Sequence, residues 1–313
     1  MAVVALAALC GAASWEGDHK REPVLIGLVT APHAAYAEAE SGLRAALLSG
    51  APGVRVVTVN VEGTDGEERA RSVLSGGADL IVGIGSRAAK LARRLAPRVP
   101  LVYAMVLDPA AAGLPAPGQG PSDHVTGVSM EVAPERQFEL MREMLPSVRR
   151  IGVLYDPLVS GDSVRRAAAA ARAGGLTLVG QAVRSEAEVL AAASLLAPAV
   201  DAFWALADPT VLTAANARAL ILLALRTRKP LFAVSEGFVR SGALAAVAAN
   251  PREVGWRAGE LAARILGGTP PAALRPEAPP GLSIFINRAT AEVLGVKLSQ
   301  ASIDRAQRTF PQP

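Results

Sequence analysis

Cysteine is almost missing. Cys10 is the only one in 313 residues, so no intrachain disulfide can form and no thiolate metal site can be assembled. Histidine is nearly as scarce: His19, His33 and His124 stand far apart, without the close spacing of a histidine metal centre. Aromatic residues make up 4% of the chain, so its cores must be built from small aliphatic side chains packed closely, helix on sheet. A block of one charge sign is also lacking. The formal net charge is +4, yet the arginines are scattered and often stand beside glutamates, as in the run Glu67, Glu68, Arg69, Arg71. Such runs describe solvated helix faces, and no nucleic-acid partner is expected.

Catalytic and cofactor signatures are absent too. There is no G-x-S-x-G elbow, no P-loop and no G-x-G-x-x-G after the first strand. Gly83-Ile84-Gly85 lacks a third glycine and does not follow the first strand. No nucleophile–base set is recognisable, so the expectation is a protein without cofactor and without enzymatic activity.

Half of the chain is hydrophobic, and its length suits two domains of ordinary size. Residues 1–13 (MAVVALAALCGAA) are apolar and small, and the polar SWEGDHKREP follows. The run is too short to span a bilayer but suits the core of a signal peptide, with Gly11-Ala12-Ala13 as a small-residue cleavage site. The positive leader segment is missing. Cys10 has two readings: a lipid-anchor site, against which stands the bulky Leu9 before it, or simply a filler of the apolar run. Export to the periplasm is expected, with residues 1–22 as signal peptide and linker.

Residues 125–157 (VTGVSMEVAPERQFELMREMLPSVRRIGVLYDP) organise the remainder. They hold the end of one strand–helix series, a helix over 134–145, a break at Pro146 and the first strand of a new series. Before this stretch, strands are expected at 24–30, 54–61, 79–84 and 100–106, with helices at 37–48, 67–74 and 87–95. After it, strands are expected at 150–155, 177–182, 202–206, 230–234, 242–249 and 282–287. The helices between and beyond them fall at 163–173, 186–196, 211–227, 252–266 and 288–294. Ser235-Glu236-Gly237 follows the strand over 230–234, residues 115–122 read as a surface loop, and the polar residues after Lys297 as frayed. Strict alternation implies parallel, doubly wound sheets, and a count that restarts implies two Rossmann-like lobes with a cleft between them.

Ligands bind in open α/β sheets beyond the carboxyl ends of the strands. Thr30, His33, Ser86, Arg87 and Asp108 follow apolar runs in the first half, and Asp156, Asp208 and Glu236 do so in the second. Asn250, at the start of the helix over 252–266, completes the candidate set. Their chemistry suits a zwitterion. Ser86 opens a helix, where a hydroxyl and free N–H groups can hold a carboxylate, or where the serine serves only as an N-cap. Asp108 and Asp208 offer anions to an ammonium, although each precedes a proline and an ordinary turn also accounts for it. Trp204 and Phe203 occupy consecutive strand positions, and Trp256 reads as packing.

Several ordered stretches carry a resemblance: DLIVGIGSRAAKL at 79–91, PLVYAMVLDPAAAG at 100–113, ELMREMLPSVRRIGVLYDP at 139–157, VDAFWALADPT at 200–210, KPLFAVSEGFVRSGALA at 229–245 and the terminal INRATAEVLGVKL. From about residue 24 to 298 the chain resembles the bacterial ABC transporter substrate-binding family whose best-known members bind tryptophan or other aromatic amino acids. The resemblance implies a type I periplasmic-binding-protein fold, with crossovers near residues 128–132, 249–252 and 282–283. Lobe one would then comprise 23–128 plus 252–282, and lobe two 129–251 plus 283–313. It also implies a small polar, amino-acid-like ligand, an ABC permease in the inner membrane as partner, and a monomer. Three loops depart from the family pattern: Ala37 replaces an aspartate, Asn250-Pro251-Arg252 replaces Asp-Tyr-Tyr, and Asp208-Pro209 replaces Asp-Asn. A ligand-sensing receptor of the same fold is the second reading; it would need a DNA-binding segment before Val24 or an output domain after Pro313, and neither is recognisable.

Overall fold

The computed structural model describes residues 23–120 and 122–311. The expected export segment and Cys10 lie outside the described residues. The chain begins with β1 (Val24–Val29), α1 (Ala34–Gly50), β2 (Arg55–Asn60), α2 (Gly66–Ser75), β3 (Leu80–Ile84), α3 (Ser86–Leu95), β4 (Leu101–Val106) and β5 (Val125–Ser129). β1, β3, β4 and β5 are buried along their whole length, as continuous apolar strands covered on both faces should be. All neighbours in this first sheet, ordered β2-β1-β3-β4-β5, are parallel.

Helix α4 (Pro134–Met144) leads to the second lobe: β6 (Arg150–Tyr155), α5 (Pro157–Ala173), β7 (Thr177–Ala182), α6 (Val189–Leu196), β8 (Ala202–Trp204), α7 (Ala214–Thr227), β9 (Leu231–Ala233), α8 (Glu236–Arg240) and β10 (Ala245–Ala249). After α9 (Pro251–Leu266) come β11 (Leu282–Asn287), α10 (Arg288–Leu294), α11 (Gln300–Arg305) and β12 (Ala306–Phe310). The second sheet runs β12-β11-β10-β9-β8-β6-β7. It is not wholly parallel, because β11 pairs with β10 antiparallel. The reason is topological: the chain leaves β10 for the first lobe and re-enters from that side.

Helix α9 makes that excursion. Asn250 caps it by accepting from the N–H groups of Arg252 and Glu253, and Pro251 supplies its first position, where no N–H is needed. Its inner face buries Val254, Ala258, Leu261 and Ile265 in one core with Leu25, Leu43, Leu80 and Val102 of the first lobe. The approach to α1 is close because both helices carry glycine at the contact. A Cβ on Gly255 would stand 1.9 Å from the carbonyl oxygen of Ala39, and one on Gly42 would stand 2.1 Å from that of Arg252.

Two local expectations are corrected. Helix α8, which begins at Glu236, was not among the expected elements. The segment after Lys297 is ordered as α11 and β12 rather than frayed. Phe310 packs with Val239 and Phe285, and Glu143 accepts from the Ser302 hydroxyl at 2.8 Å and from Arg305 at 2.6 Å. Trp256 is not packed away; it is 41% exposed.

The tight glycine contact yields a test. Gly255→Ala should overpack the α1–α9 interface and lower stability by at least the upper part of the usual 1–3 kcal/mol, about 3 kcal/mol. Gly120→Ala, where nothing lies within 4 Å of the added methyl, serves as the control. Equal urea midpoints for the two variants would refute the tight-contact account.

Candidate ligand-binding cleft

Between the lobes opens a narrow pocket of about 70 Å³ that is continuous with solvent. Its first-lobe side carries Leu107 and Asp108, its floor Met130, Glu131 and Val132, and its second-lobe side Ser160, Ser163, Arg166, Trp204 and Leu206. An outer mouth shares Leu107, Asp108, Ser160, Ala207 and Val234 and adds Ser86, Lys90, Asp208 and Phe238.

Strand ends aim these side chains. At the end of β4 the pairing with β5 shifts register between Tyr103 and Val106, and Met105 sits at φ 59, a left-handed backbone that a non-glycine residue adopts only under constraint. The bulge turns Leu107 and Asp108 into the cleft. One oxygen of Asp108 accepts from the N–H of Ala111 at 2.9 Å and the other from the Ser163 hydroxyl of α5 at 3.0 Å. The second bond crosses from lobe to lobe. Ser163 in turn accepts from Arg166 at 3.1 Å, and Arg166 reaches Glu131 at 3.2 Å. Burial pushes the Glu131 carboxyl above the ordinary glutamate range, Arg166 draws it back, and Asp108 adds to the rise.

The inner wall is apolar and fixed. Trp204 is 3% exposed, stands edge-on to Phe138 at 5.2 Å, and donates its indole N–H to Gln137 at 2.8 Å. Gln137 donates in turn to the Val132 carbonyl, so its amide is already engaged.

Of the residues expected from sequence, Ser86, Asp108 and Asp208 come together along the cleft. The remaining six do not line either part of it. Thr30 lies beneath the start of α3, where its hydroxyl accepts from the Ala88 N–H at 3.1 Å. His33 caps α1 through Ala35 and lies 5.8 Å from the Tyr36 ring. Arg87 donates to the Gly63 carbonyl on the outer surface, Asp156 caps α5 through Leu158, Glu236 pairs with Arg308 at 2.6 Å, and Asn250 caps α9. Three of these positions, His33, Asp156 and Asn250, therefore serve as helix caps.

Asp208 reaches the cleft wall but is fully buried. Its oxygens accept from the N–H of Asp156 at 2.8 Å, the hydroxyl of Ser160 at 2.5 Å and the N–H of Thr210 at 2.9 Å. Ser160 leaves helical geometry at φ −126, ψ 15, and α5 bends there around the carboxylate. The carboxylate thus ties β6, α5 and the loop after β8 together. Glu131, Ser163, Arg166 and Gln137 were missed. Glu131 ends an apolar run as Asp108 does, so the same rule would have found it. Ser163, Arg166 and Gln137 lie within helices, where a single sequence carries no mark of the face that meets the cleft.

Two outcomes follow for stability. Asp208→Ala should orphan three donors and cost about 3 kcal/mol or more, since each buried unsatisfied donor costs about 1–3 kcal/mol; a urea midpoint equal to that of the parent would contradict this. Glu131 has its folded-state pKa raised, so the fold favours the protonated form. That contribution is complete below the ordinary glutamate pKa and is lost as pH rises through the folded one. Glu131→Gln should therefore raise Tm more at pH 8 than at pH 4, and a Tm difference that does not change with pH would overturn it.

Comparison with known proteins gives one family. Residues 51–310 match the family described as ABC transporter substrate binding protein. A tyrosine-binding protein of Clostridioides difficile is 28% identical over 195 residues, which is 61% of this chain and 55% of that one. The match thus spans little more than half the length of that relative. A solved conserved domain protein from Vibrio cholerae is 26% identical with a TM-score of 0.74, covering 92% of this chain and 100% of its own. The ABC domain from Streptococcus pneumoniae, solved in complex with L-Trp, is 25% identical with a TM-score of 0.76, covering 93% and 100%. The ligand-free, open structure of a Clostridium difficile substrate binding protein with adhesive properties shares the fold, with a TM-score of 0.78 at 22% identity over 93% and 100%. Two parallel-sheet lobes, a cleft between them and a match over most of the chain lead to one conclusion: this chain belongs to the ABC transporter substrate-binding protein family.

Proposed function

We propose that the chain is the extracytoplasmic solute-binding component of an ABC import system, holding a small amino-acid-like ligand between its lobes and presenting it to an inner-membrane permease. The observation that carries this reading is the inter-lobe cleft, with a fixed apolar wall at Trp204 and a charged rim at Asp108, Glu131 and Arg166. Lobe one is taken as residues 23–128 plus 252–282 and lobe two as 129–251 plus 283–313. Ligand joins the two lobes by stabilising the closed arrangement over the open one. The protein works as a monomer without cofactor or catalysis, exported through its N-terminal segment. Among the described residues no helix is long and apolar enough to cross a membrane. The ligand class is supported by the tyrosine-binding relative and the neighbour solved with L-Trp.

A thermal-shift and calorimetric screen of amino acids, sugars and nucleosides tests it. A true ligand at 100-fold over its Kd adds about 2.7 kcal/mol, several degrees in Tm. Amino acids are expected to give that shift. A response only to sugars or nucleosides would reject the ligand class, and a response to none of the panel would reject the reading.

A further inference from the structure

The inner pocket measures about 70 Å³. An apolar cavity of about 150 Å³ takes up one benzene ring, so this pocket offers less than half the space that a ring requires. A short aliphatic branch fits it; a phenol or an indole does not.

The walls that set this limit are held in place. Trp204 donates its indole N–H to Gln137 at 2.8 Å, meets Phe138 edge-on at 5.2 Å, and stands in strand register with Phe232. Gln137 is itself anchored to the Val132 carbonyl at 3.0 Å. A second void touching Trp204, against Leu154 and Leu220, is only about 10 Å³, barely the space of one water, so the indole has nowhere to swing. Leu206 and the valines at 132, 234 and 247 complete the apolar end, and valine is stiff at χ1. Across the pocket the lobes are bridged by the Ser163–Asp108 bond at 3.0 Å, so the volume is that of a cleft whose two sides touch. The outer mouth, about 470 Å³ and open to solvent, sets no such limit. Selection by size therefore falls at the inner pocket.

We propose that the apolar group of the ligand is a short aliphatic chain of the valine or leucine class, and that Trp204 is the specificity-determining residue, because its indole occupies the space that an aromatic ligand side chain would need. This rests on the solute-binding reading and names the substrate class within it. It departs from the tyrosine-binding relative and from the neighbour solved with L-Trp. The fold is shared with them, and the size of the pocket is this chain's own.

Calorimetry with L-alanine, L-valine, L-leucine, L-phenylalanine, L-tyrosine and L-tryptophan tests it, since the six differ only in the side chain. Valine or leucine should bind most tightly. The three aromatic amino acids should bind at least about 10-fold more weakly, because an apolar pocket discriminates about 10–200-fold for a single methylene. Alanine should be weaker too, since it leaves the pocket unfilled. Trp204→Leu, checked for folding by circular dichroism, should reverse the order of leucine and phenylalanine. Val234→Leu, at a half-buried position, should narrow the pocket and weaken leucine by about 10-fold while leaving alanine unchanged; it decides the matter if the Trp204 variant does not fold. An aromatic amino acid binding the parent protein as tightly as leucine would overturn the proposal and leave the amino-acid reading intact, with the ring seated in the outer mouth. An unchanged leucine-to-phenylalanine ratio in folded Trp204→Leu would overturn the role of Trp204, and unchanged leucine affinity in Val234→Leu would overturn the pocket as the side-chain site. Binding of none of the six by the parent protein would overturn both readings at once.

Discussion

Everything in this molecule depends on one helix being able to leave the second lobe and lie against the first. Helix α9 does so because Gly42, Gly255 and Gly259 remove the side chains that would hold it away from α1. Backbone then meets backbone, and the helix completes a core that the first sheet alone would leave open. Two consequences follow. The lobes are joined by more than one chain crossing. And β11, re-entering after the excursion, has to pair antiparallel with β10, which sets the far edge of the second sheet.

The cleft rests on a second constraint, the fully buried carboxylate of Asp208. By accepting from Asp156, Ser160 and Thr210 it bends α5 and fixes the strand ends of the second lobe. Ser163 and Arg166, on the same helix, are thereby turned toward Asp108 and Glu131. The Asp208 carboxylate thus helps set the geometry of the acids that line the inner pocket. The two acids differ in kind: Asp208 is fully buried with its oxygens satisfied by neighbouring donors, and Glu131 is partly exposed and paired with Arg166 at 3.2 Å.

The bond from the Ser163 hydroxyl to Asp108, at 3.0 Å, is a neutral-to-charged contact that crosses from lobe to lobe. Binding sites between hinged lobes work by exchanges in which ligand contacts replace protein contacts and shift the population of the closed state.

By itself the amino-acid sequence determined the lobe count, the strand–helix order, most element cores and the family. Those properties are written in local patterns: apolar runs such as LIVGI, Gly and Pro breaks, and a series that restarts at Arg150. It also marked where strand ends meet the cleft, at Asp108 and Ser86. Only the tertiary structure decided which polar residues at those ends face the cavity. Asp156, Asn250 and His33 turned inward to cap helices, since a free N–H at the next helix start is the nearest donor available. The ordered C-terminus was likewise hidden, because α11 and β12 are held by Glu143, Glu236 and Phe285, residues distant in sequence. Arg166 and Gln137 were hidden for the same reason. A helix shows its apolar face in the sequence, but which polar side chain lies over a cleft depends on how the helix is docked and bent, and for α5 a carboxylate 48 residues away from Ser160 does the bending.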